Sequence, residues 1–184
     1  MKEANDSRPA ASPIVLVGMM AAGKTTAGRQ LAADFGLPFV DLDREIERRA
    51  GMSVSELFSR HGELTFRELE AAVSQDLAPG HDTVVAVGGG WMANPAAREA
   101  WPGARTVWLR VSPPEAARRV GMGTGSRPLL DGEDTRSVLE RLSAQRLPAY
   151  GEATYTVDTE GRRVDEVASE IARLVGLVQA PQST

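Results

Sequence analysis

Short apolar runs alternate along the chain with stretches in which apolar residues recur every three or four positions. Five runs are typical of buried strands; they cover residues 14–17, 37–42, 83–87, 105–109 and 155–158. Pro38 interrupts the second of them, because proline cannot donate to a strand ladder. Strands that alternate with helices in this way predict an α/β fold with a parallel sheet.

The stretches between the strands carry helix signals. Gly36 and Gly62 stand where two of these patterns end, and Ser53 with Glu56 forms a capping box. Pro113 suits the first turn of a later helix. The predicted helices cover residues 24–34, 54–61, 65–77, 95–101 and 113–120.

The length of 184 residues fits one domain better than two. Residues 1–12 are polar and read as a flexible N-terminal arm, and residues 179–184 read as a flexible tail. We therefore expect a single domain over residues 13–178, and a monomer.

Composition narrows the chemistry. The chain has no cysteine, which excludes disulfides, thiolate nucleophiles and cysteine-type zinc sites, and suits a cytoplasmic protein. The histidines are His61 and His81, too few and too far apart for a histidine metal centre, so any metal ion must be held by oxygen. A net charge of −4 argues against nucleic acid binding, and no apolar run is long enough for a membrane span. A small-molecule partner is expected.

The segment Gly18 to Thr26, GMMAAGKTT, follows the first strand and leads into the first helix. It matches G-x-x-x-x-G-K-S/T, the Walker A phosphate loop, in the strand-to-helix context that this pattern requires. Glycine lets successive amide N–H groups point at one anion, and the helix N-terminus adds its positive dipole end. Lys24 is expected to reach the β and γ phosphates of a nucleoside triphosphate, and the Thr25 hydroxyl to bind Mg²⁺.

Asp41 and Asp43 stand two apart in FVDLD, at the end of the second predicted strand. Residues two apart on a strand share a face, so both side chains are expected close to the phosphate loop. One would support Mg²⁺ and the other would meet an acceptor hydroxyl. Alternatively, both aspartates cap a helix that begins at Arg44.

Two further motifs concern the acceptor of the phosphoryl group. Arg67 lies in FRELE, where a surface pairing with glutamate is the alternative to ligand binding. Gly88, Gly89 and Gly90 follow a strand, at the edge where open α/β sheets bind ligands, so their amides are candidates to contact the acceptor. A plain turn is the alternative.

Residues 121–134, GMGTGSRPLLDGED, have the glycine content of a mobile lid. The segment also contains an arginine, Arg127, which would matter when such a lid is shut. An ordinary surface loop is the alternative.

Taken together, the ordered motifs resemble those of the shikimate kinase family. They are the phosphate loop, DLD, FRELE, GGG, SRPLL and QRLPAY, in this order from Gly18 to Tyr150. The similarity continues to the last strand, TYTVD, and so covers nearly the whole chain. Each motif is weak by itself, whereas the ordered set is specific.

The resemblance implies a three-layer P-loop kinase fold with a five-stranded parallel sheet in the order 2-3-1-4-5, flanked by helices and closed by a mobile lid. It implies transfer of the γ-phosphoryl group of ATP to the 3-hydroxyl of shikimate with Mg²⁺, giving shikimate 3-phosphate and ADP on the route to chorismate and the aromatic amino acids.

By the same resemblance, each candidate residue acquires a role. Lys24, Asp43 and Arg127 are the catalytic candidates, and Thr25 and Asp41 are the metal candidates. The ATP-binding candidates are Gly18, Ala21, Ala22, Gly23, Lys24, Thr25, Thr26, Arg119 and Arg127, with Arg119 stacked on adenine unless its neighbour Arg118 serves instead. The shikimate-binding candidates are Asp43, Phe58, Phe66, Arg67, Gly88, Gly89, Gly90 and Arg146; Arg67 and Arg146 would hold the carboxylate, and the two phenylalanines would wall the pocket.

Two departures from the family pattern bear on this assignment. Ala21 and Ala22 stand where the family commonly has a glycine and another small residue, and Trp91 follows the glycine triplet where a small residue is expected. An indole at this position would either line the acceptor pocket or fill the core beneath it.

Two other functions are alternatives to the one that the resemblance implies. Gluconate kinase would share the loop and sheet, but its Pro-Trp-Leu segment is absent from the sequence. A nucleotide-dependent regulatory module of the GTPase type would need an Asn-Lys-x-Asp motif, which the chain also lacks.

Overall fold

The computed structural model describes residues 12–77, 79–80, 82–121 and 134–178. The predicted arm over most of its length, the tail, and nearly all of the predicted lid with Arg127 lie outside these described residues. His81 also lies outside them.

Five parallel strands form one sheet. Their order is β2-β3-β1-β4-β5, as the resemblance implied. The strands are β1 Ile14–Val17, β2 Phe39–Asp41, β3 Val84–Ala86, β4 Arg105–Arg110 and β5 Tyr155–Asp158. Strand β1 is central, and its residues are almost completely buried, which explains its unbroken apolar run.

Seven α-helices of the described chain flank this sheet. They are α1 Lys24–Phe35, α2 Leu42–Ala50, α3 Val54–Leu77, α4 Pro95–Arg98, α5 Pro113–Gly121, α6 Thr135–Tyr150 and α7 Val164–Val175, with a 3₁₀ turn at Trp91–Ala93. Helix α1 packs against α7, and α3 packs against α4. None of the described helices combines the length and the apolar character that a membrane crossing would require.

The predicted helix boundaries hold at the capping residues. Gly36 takes the left-handed conformation (φ 65°) at the end of α1. The Ser53 N–H donates to Glu56 Oε2 at 2.9 Å, while the Glu56 N–H donates to Ser53 Oγ at 3.2 Å, which is the predicted capping box. Gly62 interrupts α3 with φ 81° and ψ 171°, a conformation restricted to glycine, so two predicted helices meet there at a kink.

Three predictions need correction. The helix predicted over residues 95–101 ends at Arg98, since Trp101 precedes Pro102 and this position disfavours helical backbone. Pro38 precedes β2 rather than interrupting it, and its carbonyl accepts a bond from the Val84 N–H at 2.9 Å. Asp41 and Asp43 do not share a strand face, because Asp41 ends β2 and caps α2, whereas Asp43 lies in the first turn of α2.

Helices α6 and α7 were not predicted. Pro148 lies inside α6 and reads as a helix breaker in the sequence. Helix α7 has apolar residues at helical spacing, with Val167, Ile171 and Val175 buried, so its periodicity could have revealed it.

Candidate active site

The carboxyl ends of the parallel strands gather the predicted functional residues at one edge of the sheet. A cleft of 430 Å³ opens there, and it is lined by the phosphate loop, by Asp41 and Asp43, and by Gly89. Strands β3 and β4 lie on either side of β1 in the sheet. The chain forms β2 and β3 on one side of β1 and then crosses to form β4 and β5 on the other side. Ligands of open α/β sheets bind at such a switch point.

The loop between β1 and α1 depends on unusual backbone angles. Gly18 has φ 137° and Gly23 has φ 92°. A Cβ on Gly18 would lie 2.5 Å from the Leu109 carbonyl oxygen, so no larger residue fits. Ala21 takes φ 60°, a left-handed conformation that costs an L-residue about 1 kcal/mol. Ala21, which stands where the family commonly has glycine, therefore adopts a strained backbone conformation in this loop.

Lys24 begins α1, and its ammonium folds back over the phosphate loop. Its Nζ donates to the carbonyl oxygens of Gly18 and Met19, each at 2.9 Å. These bonds hold the only positive side chain of the loop above its amides, where a phosphate group would approach.

Thr25 and Asp41 join the first turn of α1 to the first turn of α2. Thr25 Oγ1 donates to Asp41 Oδ2 at 2.8 Å, and Asp41 Oδ1 accepts from the Arg44 N–H at 3.4 Å. Asp41 therefore caps a helix, as the alternative interpretation held, and also presents a carboxylate to the cleft. Two hard oxygen donors side by side fit Mg²⁺, which binds to few protein ligands when phosphates complete its shell. Within the described ranges no larger cluster of acidic or histidine side chains could hold a metal ion.

Asp43 lines the cleft and is half-buried, with its Oδ1 out of contact with solvent. Its Oδ1 accepts no hydrogen bond from any described residue. Burial raises the pKa of Asp43 to about 6; the charge of Lys24 opposes this rise, whereas Asp41 and Glu70 add to it. A carboxylate with this pKa is poised to accept a proton near neutral pH.

Gly88 lies against two carboxylates. A Cβ at Gly88 would lie 2.9 Å from Asp43 Oδ1 and 3.1 Å from Glu70 Oε1. Glu70 is fully buried, and its Oε1 also lacks a partner among the described residues. The first glycine of the triplet is thus needed to leave room for two carboxylate oxygens that face the same point.

Arg67 is fixed by acidic neighbours on its own helix. Its Nη1 pairs with Glu70 Oε2 at 2.9 Å, and its Nη2 pairs with Glu63 Oε1 at 3.0 Å. A Cβ at Gly90 would lie 2.1 Å from Arg67 Nη2, so the guanidinium rests directly on that glycine. Arg67 therefore makes both the pairing with glutamate and the contact with the glycine turn.

Arg146 reaches the same turn from α6. It is 8% exposed, and a Cβ at Gly89 would lie 2.9 Å from its Nη1. No carboxylate of the described residues forms an ion pair with it. Arg146 differs in this respect from Arg67, whose charge is already balanced.

Aromatic side chains lie beside Arg67 and the glycine triplet, and Arg67 itself lies over the Phe66 ring. The rings of Phe58 and Phe66 lie 4.7 Å apart on the two halves of the kinked α3, and Phe66 is buried. Trp91 is 1% exposed, stacks on Trp101 with ring centroids 5.2 Å apart, and donates from Nε1 to Ser74 Oγ at 3.2 Å. The indole therefore fills the core behind the glycine triplet.

A second cleft of 470 Å³ adjoins the phosphate loop on its other side, and it includes Ala21, Thr26, Arg118 and Arg119 among its walls. Arg119 donates to the Ala21 carbonyl at 3.2 Å and to the Thr159 carbonyl at 2.8 Å, and it pairs with Glu115. These bonds occupy the edge of the guanidinium. Arg118 pairs with Glu115 at the surface.

Three residues at the site received no role from the sequence: Glu70, Tyr150 and Thr159. Glu70 and Tyr150 belong to motifs that were recognised, namely FRELE and QRLPAY, so the signal was present without an assignment. Thr159 directly follows the last strand, and this position was the only signal for it.

Comparison with known proteins agrees with this geometry. The family model described as shikimate kinase matches residues 20–175. A shikimate kinase from Thermobifida fusca is 46% identical over 168 residues, which are 91% of this chain and 95% of the relative. The structure of shikimate kinase from Acinetobacter baumannii in complex with shikimate is 35% identical, with a TM-score of 0.82, covering 90% of this chain and 93% of that chain.

A gluconokinase from Sinorhizobium meliloti is also similar in structure. Its identity is 22% and its TM-score 0.56, with 92% of this chain and 95% of that chain covered, which shows a shared fold alone. The family match begins within the phosphate loop and includes strands β2 to β5 and the helices that carry Arg67, Arg119 and Arg146. The chain belongs to the shikimate kinase family.

Proposed function

We propose that this chain transfers the γ-phosphoryl group of ATP to the 3-hydroxyl of shikimate. The observation that carries the proposal is the placement of Asp43: a carboxylate with a buried, unpartnered oxygen lies between the phosphate loop and a turn contacted by two arginines. A small anion with several hydroxyls needs this combination of a forked cation, backbone donors and a carboxylate acceptor.

The nucleotide binds on the phosphate loop. Amide N–H groups of the loop and the N-terminus of α1 hold the phosphates, and Lys24 exchanges its carbonyl partners for phosphate oxygens. Thr25 and Asp41 would hold Mg²⁺. An ion held by these two residues would supply positive charge to the phosphate oxygens during the transfer. Adenine lies in the adjoining cleft, against the face of Arg119, whose edge is fixed by its hydrogen bonds.

The acceptor binds between α3, the glycine triplet and α6. Arg67 and Arg146 hold its carboxylate, the amides of Gly88, Gly89 and Gly90 contact its polar groups, and Phe58 and Phe66 exclude water from its ring. Asp43 accepts a hydrogen bond from the 3-hydroxyl. As that oxygen bonds to the γ-phosphorus and the bond to the β-phosphate oxygen breaks, the hydroxyl proton passes to Asp43 and ADP is left.

Arg127 and the lid complete the proposal, although both lie outside the described residues. The lid closes over the phosphates and Arg127 stabilises the charge of the transferred group, a role that can be worth roughly 10³-fold in rate. We also propose that residues 13–178 form one domain, and that the enzyme works as a monomer in the cytoplasm.

The experiment is an acceptor comparison with the purified chain. ADP formation is followed with shikimate or gluconate as acceptor, and the product is identified by mass spectrometry. We expect ADP and shikimate 3-phosphate in equal amounts, with gluconate no better than no acceptor. Activity with gluconate alone, or with neither acid, refutes the proposal.

The nucleotide half of the site can be tested separately, because the sequence has lysine only at positions 2 and 24. An amine-reactive label read by peptide mass spectrometry should modify both, and ATP should protect Lys24 while Lys2 serves as the internal control. Equal protection of both, or of neither, contradicts the placement of ATP.

A further inference from the structure

Tyr150 closes the acceptor turn from the side of α6. Its hydroxyl donates to the Gly89 carbonyl at 2.5 Å, and the side chain is 2% exposed. The Arg146 guanidinium lies against the same hydroxyl, one helical turn earlier on α6. Arg146 and Tyr150 thus approach Gly89 together.

The ring of Tyr150 is held independently of its hydroxyl. It stacks on Trp108 of β4, with ring centroids 5.7 Å apart and planes 25° apart, and Arg110 covers the outer face of that indole. Removal of the hydroxyl alone therefore leaves the packing of the ring in place. Packing and hydrogen bonding can be separated experimentally at this residue.

The hydroxyl controls the direction of a peptide group. A peptide unit is planar and trans, so its C=O and the following N–H point in opposite directions. With the Gly89 carbonyl bonded to Tyr150, the Gly90 N–H is turned the other way, and this N–H donates to none of the described residues. Glycine has no side chain to restrict this rotation, so without the hydroxyl the peptide plane is free to turn.

The same turn touches the phosphate loop. The Cβ position of Gly89 is 3.5 Å from the Gly18 carbonyl oxygen and 3.7 Å from the Tyr150 hydroxyl. That carbonyl in turn accepts a bond from Lys24. A rotation of the Gly89 peptide would therefore act first on the Arg146 guanidinium that lies against it, whereas the Gly18 carbonyl is held separately by its bond from Lys24.

We infer that Tyr150 is a positioning residue for the acceptor: its hydroxyl fixes the Gly89–Gly90 peptide and the Arg146 guanidinium as a matched set of donors for the acceptor's carboxylate. This inference rests on the proposed function, because it assigns the carboxylate to that set. Tyr150 acts through these donors and takes no part in the transfer of the phosphoryl group.

The test is Tyr150→Phe, with Tyr155→Phe as the matched control, since these are the chain's two tyrosines. The loss of one hydrogen bond in a charged site should raise the KM for shikimate about tenfold, by the usual conversion of bond free energy into affinity. The kcat and the KM for ATP should stay close to those of the wild type, and Tyr155→Phe should behave as the wild type.

Two further measurements separate positioning from general stability. Thermal melting shows whether Tyr150→Phe is folded at the assay temperature, and calorimetry measures shikimate binding to the ADP complex directly. In a double-mutant cycle with Arg146→Ala, the effect of Tyr150→Phe on binding should shrink, since one of the donors that it positions is gone.

The outcomes distinguish the two proposals. If the wild type does not phosphorylate shikimate, the proposed function fails. If the wild type does so and Tyr150→Phe binds shikimate as well as Tyr155→Phe does, the positioning role fails. A fall in kcat with an unchanged KM for shikimate, or full additivity with Arg146→Ala, also overturns it.

Discussion

Thr25 Oγ1 donates a 2.8 Å hydrogen bond to Asp41 Oδ2, and this bond joins the phosphate loop to the strand that leads to Asp43. The bond brings together the two oxygen atoms that we propose as Mg²⁺ ligands. Asp41→Asn should raise the Mg²⁺ concentration for half-maximal activity by roughly tenfold or more, the effect usual for groups that support a metal ion. Magnesium titrations at saturating ATP measure it. Asp34→Asn, at an exposed carboxylate of α1, is the control; equal curves for both variants would contradict the assignment.

Asp43→Asn should abolish most of the turnover and spare nucleotide binding. The variant keeps the shape of the side chain but cannot take the hydroxyl proton, so kcat should fall on the order of 10²- to 10⁴-fold. Affinity for ATP, measured by calorimetry without acceptor, should stay near that of the wild type, since Asp43 serves the acceptor. A parallel loss of ATP affinity would show that this division of roles is wrong.

The raised pKa of Asp43 also predicts how stability depends on pH. The pKa rises from 3.8 to about 6 on folding, so the folded state binds the proton more tightly, and the free-energy cost of ionised Asp43 in the folded state builds up between pH about 4 and about 6. In wild type this cost should reach on the order of 2–3 kcal/mol near pH 8 and vanish toward about pH 4. Asp43→Asn removes this cost. The free energy of unfolding of the variant should therefore increase relative to that of the wild type as pH rises. Urea titrations without metal or nucleotide test this, and a constant difference across pH would rule it out.

Arg67→Ala and Arg146→Ala should have different effects on acceptor binding and on thermal stability. No described carboxylate forms an ion pair with Arg146. Its removal should weaken acceptor binding by on the order of 2–5 kcal/mol, which is measured as a higher KM for the acceptor. Arg67 partners the fully buried Glu70, and its removal leaves a buried charge unpaired, so it should also lower the melting temperature.

The two losses are separable by kinetics and thermal melting on the same preparations. Arg173→Ala, at an exposed position on α7, is the control for loss of charge alone. An unchanged acceptor KM in Arg146→Ala, or an unchanged melting temperature in Arg67→Ala, would contradict the respective role.

Ala21→Gly should stabilise the protein. Ala21 has φ 60°, and glycine adopts this conformation without the strain of a Cβ, so the free energy of unfolding should rise by up to about 1 kcal/mol. Ala22→Gly is the matched control: Ala22 is buried and has no positive φ, so the same change should destabilise there. Equal effects in denaturant titrations would show that Ala21 is not strained.

The individual strands and the phosphate loop could be predicted because their signals are local, whereas the order of the strands in the sheet was expected only from the resemblance to a family. An apolar run followed by glycines and Lys24 specifies a strand, a turn and a helix within a few residues. Asp41 and Asp43 do lie near the phosphate loop, as predicted. The predicted cause, a shared strand face, is wrong. The chain turns into α2 after Asp41, and a helical turn rather than strand alternation directs both carboxylates to the cleft.

Other parts of the site depend on contacts distant in sequence. The bond of Arg119 to the Ala21 carbonyl joins residues 98 positions apart, and the bond of Tyr150 to Gly89 spans 61. No periodicity or motif records such a pairing. Trp91 illustrates the same limit, since only the stacking on Trp101 and the bond to Ser74 decide that the indole packs away from the acceptor.

The hydrogen bonds of Lys24 affect how the nucleotide binds and how it is released. The Lys24 ammonium donates to the Gly18 and Met19 carbonyls, so a phosphate that binds to Lys24 has to replace these two bonds. The net gain from that exchange is small compared with the bond itself. We expect the same carbonyls to accept from Lys24 again when ADP leaves, which would lower the free-energy cost of releasing the spent nucleotide.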